Sequence, residues 1–298
     1  MALWVWMAAL CVGQADARPG QVTATGAVLE KLADGFSFTE GPAANARGDV
    51  YFTDQPNDRI MVWSVDGKLS TFMQPSGRAN GLCFGRDGRL WACADEKNEL
   101  WVINVRTKEK SVVVAGDETG KRLNGPNDVW VAPGGRVYFT DPYYRRPYWP
   151  AGTERHDPQS VFMASSDGKR IVRVADDLKQ PNGISGTPDG KTLYVADIGS
   201  GRTYAYDIAP DGLLTNRRIF CEMGSDGMTI DSEGNVYLTG PGVVVFDRTG
   251  KEVQRIAVPE ERWTANVCFG GRDRRTLFIT AGKGLYAIRM RTRGVGSQ

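Results

Sequence analysis

A single histidine, His156, stands in a chain of 298 residues. That scarcity disfavours imidazole chemistry: a Ser-His-Asp hydrolase would need His156 brought to a nucleophile, and no Gly-x-Ser-x-Gly turn is present to hold one. Zinc, which usually takes His or Cys ligands, is disfavoured for the same reason. The five cysteines show no Cys-x-x-Cys spacing. Cys83 and Cys93 flank one expected hairpin and could pair across it, but free thiols packed as small apolar groups are the simpler reading. Surplus charge is missing too: 37 Lys and Arg are interleaved with 35 Asp and Glu, clustering only at Arg289, Arg291 and Arg293. An electrostatic footprint for nucleic acid is therefore absent. Beyond the N-terminal stretch no run approaches the ~20 apolar residues of a membrane-spanning helix. Sustained 3.6-residue periodicity is also wanting, so little helix is expected.

The apolar fraction, 41%, is enough for a sizeable core. An apolar segment from Ala2 to Gly13 leads into Ala15-Asp16-Ala17, a small-x-small cleavage pattern before Arg18. The expectation is a signal peptide over residues 1–17, a single domain over 18–298, and a periplasmic or secreted protein; the alternative, since the leader lacks Lys and Arg, is an apolar N-terminus on a cytoplasmic one.

Self-similarity organises the rest. Six segments each open on one polar residue, run through an apolar stretch, turn at a charged or Gly-containing tip and return as a β-rich strand. The opening residues are Glu40, Asn80, Asn127, Asn182, Asp226 and Asn266, and the returning strands end at Asp54, Asp95, Asp141, Asp197, Gly240 and Ala281. The separations alternate between 14 and 15 residues. Successive repeats lie 40, 47, 55, 44 and 40 residues apart, the length of a four-stranded sheet with its turns. A six-bladed β-propeller is predicted. The last repeat is short by one strand, and "AVLEKLADG" before the first repeat is expected to complete it, removing two open sheet edges. "GKGLYA" at Gly282–Ala287 has dinucleotide-fingerprint spacing, but it lies between two strands and opens no helix, so it reads as a hairpin turn.

In a propeller the innermost strands line the central channel, so the six opening residues converge on one ring. Asn-Gly is a common turn dipeptide, and each residue alone reads as turn or surface. Their convergence at one phase of six repeats favours a site instead: two carboxylates and up to four amides, an all-oxygen pocket suited to a hard cation such as Ca2+.

"FTEGP" at Phe38–Pro42, "RLNGPNDV" at Arg122–Val129, "YFTDP" at Tyr138–Pro142, "QPNGI" at Gln180–Ile184 and "SDGMTID" at Ser225–Asp231 resemble the motifs of the senescence-marker-protein/gluconolactonase/luciferin-regenerating family, over about residues 28–290. The resemblance implies a Ca2+-dependent hydrolase of sugar lactones, with Mg2+ or Zn2+ as possible replacements. It implies metal ligands at Glu40, Asn182 and Asp226, with Asn127 a further ligand or substrate contact and Asn80 facing substrate; Arg78 would help from the neighbouring turn. Asp226 is the expected base that takes a proton from the attacking water, or else a ligand only. A sugar lactone is then the expected partner, with no nucleic acid and no membrane span. Two rival readings are a metal-dependent phosphotriesterase-like hydrolase and a non-catalytic propeller stiffened by a structural ion.

The chain departs from the family pattern by the insertion "YYRRPYWPAGTERHDPQ" after Asp141. It is expected on the same face as the ring, as a lid or an ordinary long loop. As a lid, Tyr143, Tyr144 and Trp149 would cover a polyol ring and Arg145 or Arg146 would read an anionic substituent. His156, inside the insertion, is expected to be a solvent-exposed loop residue.

Overall fold

The computed structural model describes residues 21–295. The expected signal peptide lies outside them. Within them the chain forms six four-stranded antiparallel sheets arranged as the blades of a propeller. No α-helix occurs among the described residues, which hold one 3-10 turn at Gln55–Asn57.

Five blades are made of four consecutive strands, and the sixth combines Thr264–Gly270, Thr276–Ala281 and Gly284–Arg289 with the early strand Glu30–Ala33. That strand pairs antiparallel with Gly284–Arg289, Glu30 opposite Ala287. The expected closure is thus observed, and Gly282 makes the hairpin turn with φ 49°.

The second strand of each blade explains the sequence pattern. Val50–Asp54, Val137–Asp141 and Val236–Gly240 are buried along their whole length, because each is covered by a neighbouring blade on both faces. Outermost strands such as Leu214–Cys221 carry exposed polar residues instead. The core is accordingly divided into six apolar clusters, one between each pair of adjacent blades. Tyr51 of the first blade, for example, packs edge-on against Phe84 of the second at 5.3 Å between ring centres. Cys83, Cys93, Cys221 and Cys268 are free thiols in or beside these clusters.

Candidate functional site

The six opening residues sit where the inner strands meet the channel. In four blades the ladder between first and second strands breaks there: between Glu40 and Ala43, Ala79 and Leu82, Pro181 and Ile184, and Thr264 and Asn266. Such irregularities re-aim a side chain out of the sheet. The glycine following the opening residue answers a second need. A Cβ on Gly41 would lie 2.1 Å from the Asn80 carbonyl oxygen, one on Gly81 2.6 Å from that of Asn127, and one on Gly183 2.9 Å from that of Asp226. The recurring Glu-Gly, Asn-Gly and Asp-Gly pairs thus mark close approach between inner strands.

Buried threonines fix this approach. Thr53 Oγ1 donates to the Asn80 carbonyl at 3.0 Å and Thr140 Oγ1 to that of Asn182 at 2.7 Å. Strand-end aspartates hold the entry to three opening residues: Asp54 accepts from the Ser37 and Phe38 amides, Asp141 from Asn124 and Gly125, Asp197 from Lys179 and Gln180.

On this frame Glu40, Asn182 and Asp226 are brought together, Glu40 and Asn182 buried and Asp226 partly so. Asn182 Nδ2 donates to Asp226 Oδ1 at 2.8 Å, and the Trp263 indole N–H to Asp226 Oδ2 at 2.6 Å. The Glu40 carboxylate accepts from its neighbour's amide, Gly41, and from Asn266 Nδ2 at 3.1 Å. Burial, followed by the charges of Asp226 and Asp128, pushes Glu40 well above the ordinary carboxylate range. Burial raises Asp226 too, opposed by the bonds from Trp263 and Asn182. Burial likewise raises Asp128 to about 7. Acidic groups thus crowd one end of the channel.

Two amide oxygens, Asn182 Oδ1 and Asn80 Oδ1, are buried without a hydrogen-bond partner. Asn127, also buried, follows Asn80 around the ring, its carbonyl accepting from the Gly81 amide at 2.8 Å. Asn266 turns differently: its amide nitrogen reaches Glu40 and, at 3.5 Å, Asp128, while its oxygen accepts from the Val267 amide at 2.8 Å. No group of three His, Cys, Asp or Glu side chains poised to hold a metal occurs among the described residues. Around Glu40 and Asp226 lie the amides of Asn182 and Asn266 and a third carboxylate, Asp128.

Arg78 stands at the rim, its guanidinium over the Tyr148 ring at 4.5 Å, one nitrogen donating to the Pro56 carbonyl and Nε buried without a partner. The insertion lies over the same end. Tyr144 reaches the ring, its hydroxyl accepting from Asn182 Nδ2 at 2.9 Å; burial, then the Asp226 charge, pushes it up to about 12. Other side chains of this segment are engaged within the protein. Arg146 is paired with Asp95 at 2.6 Å. Trp149 is buried, its indole donating to the Asp95 carbonyl, and the Tyr143 hydroxyl is spent on Thr153. His156 is only partly exposed, because its backbone is tied to the Asn124 side chain in both directions, at 2.7 Å each.

Three neighbours of the site were not foreseen. Asp128 was legible in principle, since Pro-Asn-Asp replaces the usual glycine after an opening residue. Asp95 was marked only as the end of a returning strand, and Trp263 carried no local signal.

The fold and this end of the channel define a six-bladed propeller with acidic and amide side chains gathered where its inner strands meet. The comparisons make that class particular. The model of the SMP-30/Gluconolactonase/LRE-like region matches residues 38–283. A gluconolactonase from Zymomonas mobilis is 31% identical, covering 89% of this chain and 82% of its own. A pentonolactonase from Haloferax volcanii is 29% identical over 77% of this chain and 79% of its own. The solved structure of a gluconolactonase from Xanthomonas campestris superposes with a TM-score of 0.81 at 31% identity, covering 90% of this chain and 91% of that one. The chain belongs to the SMP-30/gluconolactonase/LRE-like family.

Proposed function

We infer that this protein is a lactone hydrolase that opens sugar lactones, gluconolactone in the first instance, with the help of a divalent cation. The observation that carries the reading is the pairing of crowded carboxylates, the buried Glu40 and the partly buried Asp226, with the unpartnered Asn182 Oδ1 beside them. Uncompensated, such a group is costly to bury; a hard cation satisfies all of it at once. Glu40, Asn182 and Asp226 would hold the ion, with Asn127 as a further donor. Ca2+ suits this flexible all-oxygen set best, and Mg2+ or Zn2+ could replace it. When bound, the ion supplies Lewis-acid polarisation of the lactone carbonyl.

The chain's own residues do the rest. Asp226 is held on both oxygens, by Asn182 and by Trp263, which leaves lone pairs of a fixed carboxylate to take a proton from the attacking water. Asn80, Asn127 and Arg78 would orient the sugar hydroxyls; Asn80 Oδ1 and Arg78 Nε have no partner within the protein.

Proton release from D-glucono-1,5-lactone is the direct test. Chelation and Asp226→Ala should each abolish it, with recovery from chelation on adding Ca2+; full activity in either case overturns the metal-assisted reading. A fluorophosphate assayed in parallel addresses phosphorus-ester cleavage. Export is part of the same proposal: N-terminal sequencing of the protein made in its native host should begin at Arg18, and a chain retaining its first residues refutes it.

A further inference from the structure

Asp95 ends its strand region as Asp54, Asp141 and Asp197 end theirs, but it performs a different task. Those three carboxylates each hold two backbone amides ahead of an opening residue. In the second blade that work is done otherwise: the Glu96 amide donates to the Gly77 carbonyl, and the Arg78 amide to Asp58. The Asp95 carboxylate, 2% exposed, instead gathers side chains from elsewhere. Its Oδ2 accepts from Gln55 Nε2 at 3.1 Å, Arg146 Nε at 2.6 Å and the Tyr148 hydroxyl at 2.7 Å. Its backbone carbonyl accepts from the Trp149 indole at 2.7 Å. Three of the four partners belong to the insertion between Asp141 and Ser160.

This knot fixes two groups that face the pocket. Tyr144, two residues before Arg146, has its hydroxyl on Asn182. Tyr148 presents its ring to the Arg78 guanidinium, whose Nε is buried without a hydrogen-bond partner. We propose that Asp95 is a positioning residue that latches the insertion over the channel mouth, and that Tyr144 and Arg78, so held, restrict the site to compact, sugar-sized lactones. The proposal rests on the lactonase reading for its substrate, but the latch itself is a statement about the chain alone.

Two measurements separate these parts. Trypsin can cut after Arg145 and Arg155 within the insertion. In D95N, whose amide keeps the shape but cannot neutralise Arg146, cleavage at these sites should accelerate at least about tenfold. Kinetics should show KM for D-glucono-1,5-lactone raised on the order of tenfold to a hundredfold, with kcat changed by less than about threefold. Selectivity for that substrate over a lactone carrying a long acyl chain should fall. Y148F and Y144F, which spare the buried ion pair, should move KM and selectivity in the same direction by less, and they decide the matter if D95N does not fold. Unchanged cleavage in D95N overturns the latch. Faster cleavage with KM and selectivity as in the wild type overturns the role in substrate choice. Absence of turnover by the wild type on any lactone overturns the lactonase reading and the substrate role with it, while the cleavage result still decides the latch.

Discussion

Replacing Gly41 by alanine would test whether the site depends on the close approach of inner strands. The new Cβ would lie 2.1 Å from the Asn80 carbonyl oxygen and 2.9 Å from the Gly81 Cα, both backbone atoms, at a φ of 46°. Restoring ordinary contact requires the first two inner strands to part by more than about 1 Å. Overpacking of this kind and the left-handed backbone together cost about 3–5 kcal/mol. For a domain of this size that corresponds to a Tm lower by on the order of 10 °C. Glu40, the adjacent residue, moves with the strand, and a misplacement of about 1 Å at a reacting centre can cost about a hundredfold in rate. Gly227→Ala is the internal comparison. Its Cβ meets the Asn266 side chain at 2.0 Å, so the conflict falls on a side chain and not on backbone and its Tm loss should be the smaller of the two, although displacing Asn266 breaks its bonds to Glu40 and the Val267 amide. Calorimetry and lactone hydrolysis on both variants suffice. A G41A protein with wild-type Tm and turnover would refute the reasoning.

Thr140→Val removes the hydroxyl that bonds the Asn182 carbonyl and accepts from the Asp128 amide, leaving two buried groups unpaired at a cost of about 1–3 kcal/mol. The urea midpoint should fall with an unchanged slope; an unmoved midpoint counts against the clamp. Trp263→Phe takes the indole donor from Asp226 and should lower kcat/KM about tenfold, and wild-type kinetics would remove Trp263 from the site. Burial pushes the thiols of Cys83 and Cys268 up to about 12 and Cys221 to about 11, and raises Cys93 well above its ordinary value. A raised pKa keeps a thiol protonated, so at pH 8 these four should react slowly with Ellman's reagent in the native protein and rapidly once unfolded; a fast native phase from any of them refutes this. Deleting the chain through Ala33 exposes the edge of Gly284–Arg289 and should give aggregates on size exclusion, whereas a monomer of wild-type stability would show the closing strand to be dispensable.

The architecture was legible because its signals are local. Strand ends at Asp54, Asp141, Asp197, Gly240 and Ala281 are met to the residue, and the alternation of 14 and 15 residues places every opening residue at the channel. Burial on both faces forces apolar composition on the second strands wherever they occur, so the repeat survives in the residues themselves. The roles within the ring were not legible to the same degree. Asn266 shares the phase of Asn182, yet it bridges Glu40 and Asp128 and leaves no oxygen free. Arg146 looked like an anion reader because nothing near it in the chain is its partner; Asp95 is 51 residues away. Periodicity and composition determine which residues arrive at the channel mouth. Which oxygen stays unpaired, which charge is cancelled and which indole meets Asp226 are decided only when distant blades pack together, because hydrogen bonds and Coulomb forces act over a few ångströms of space without regard to separation along the chain.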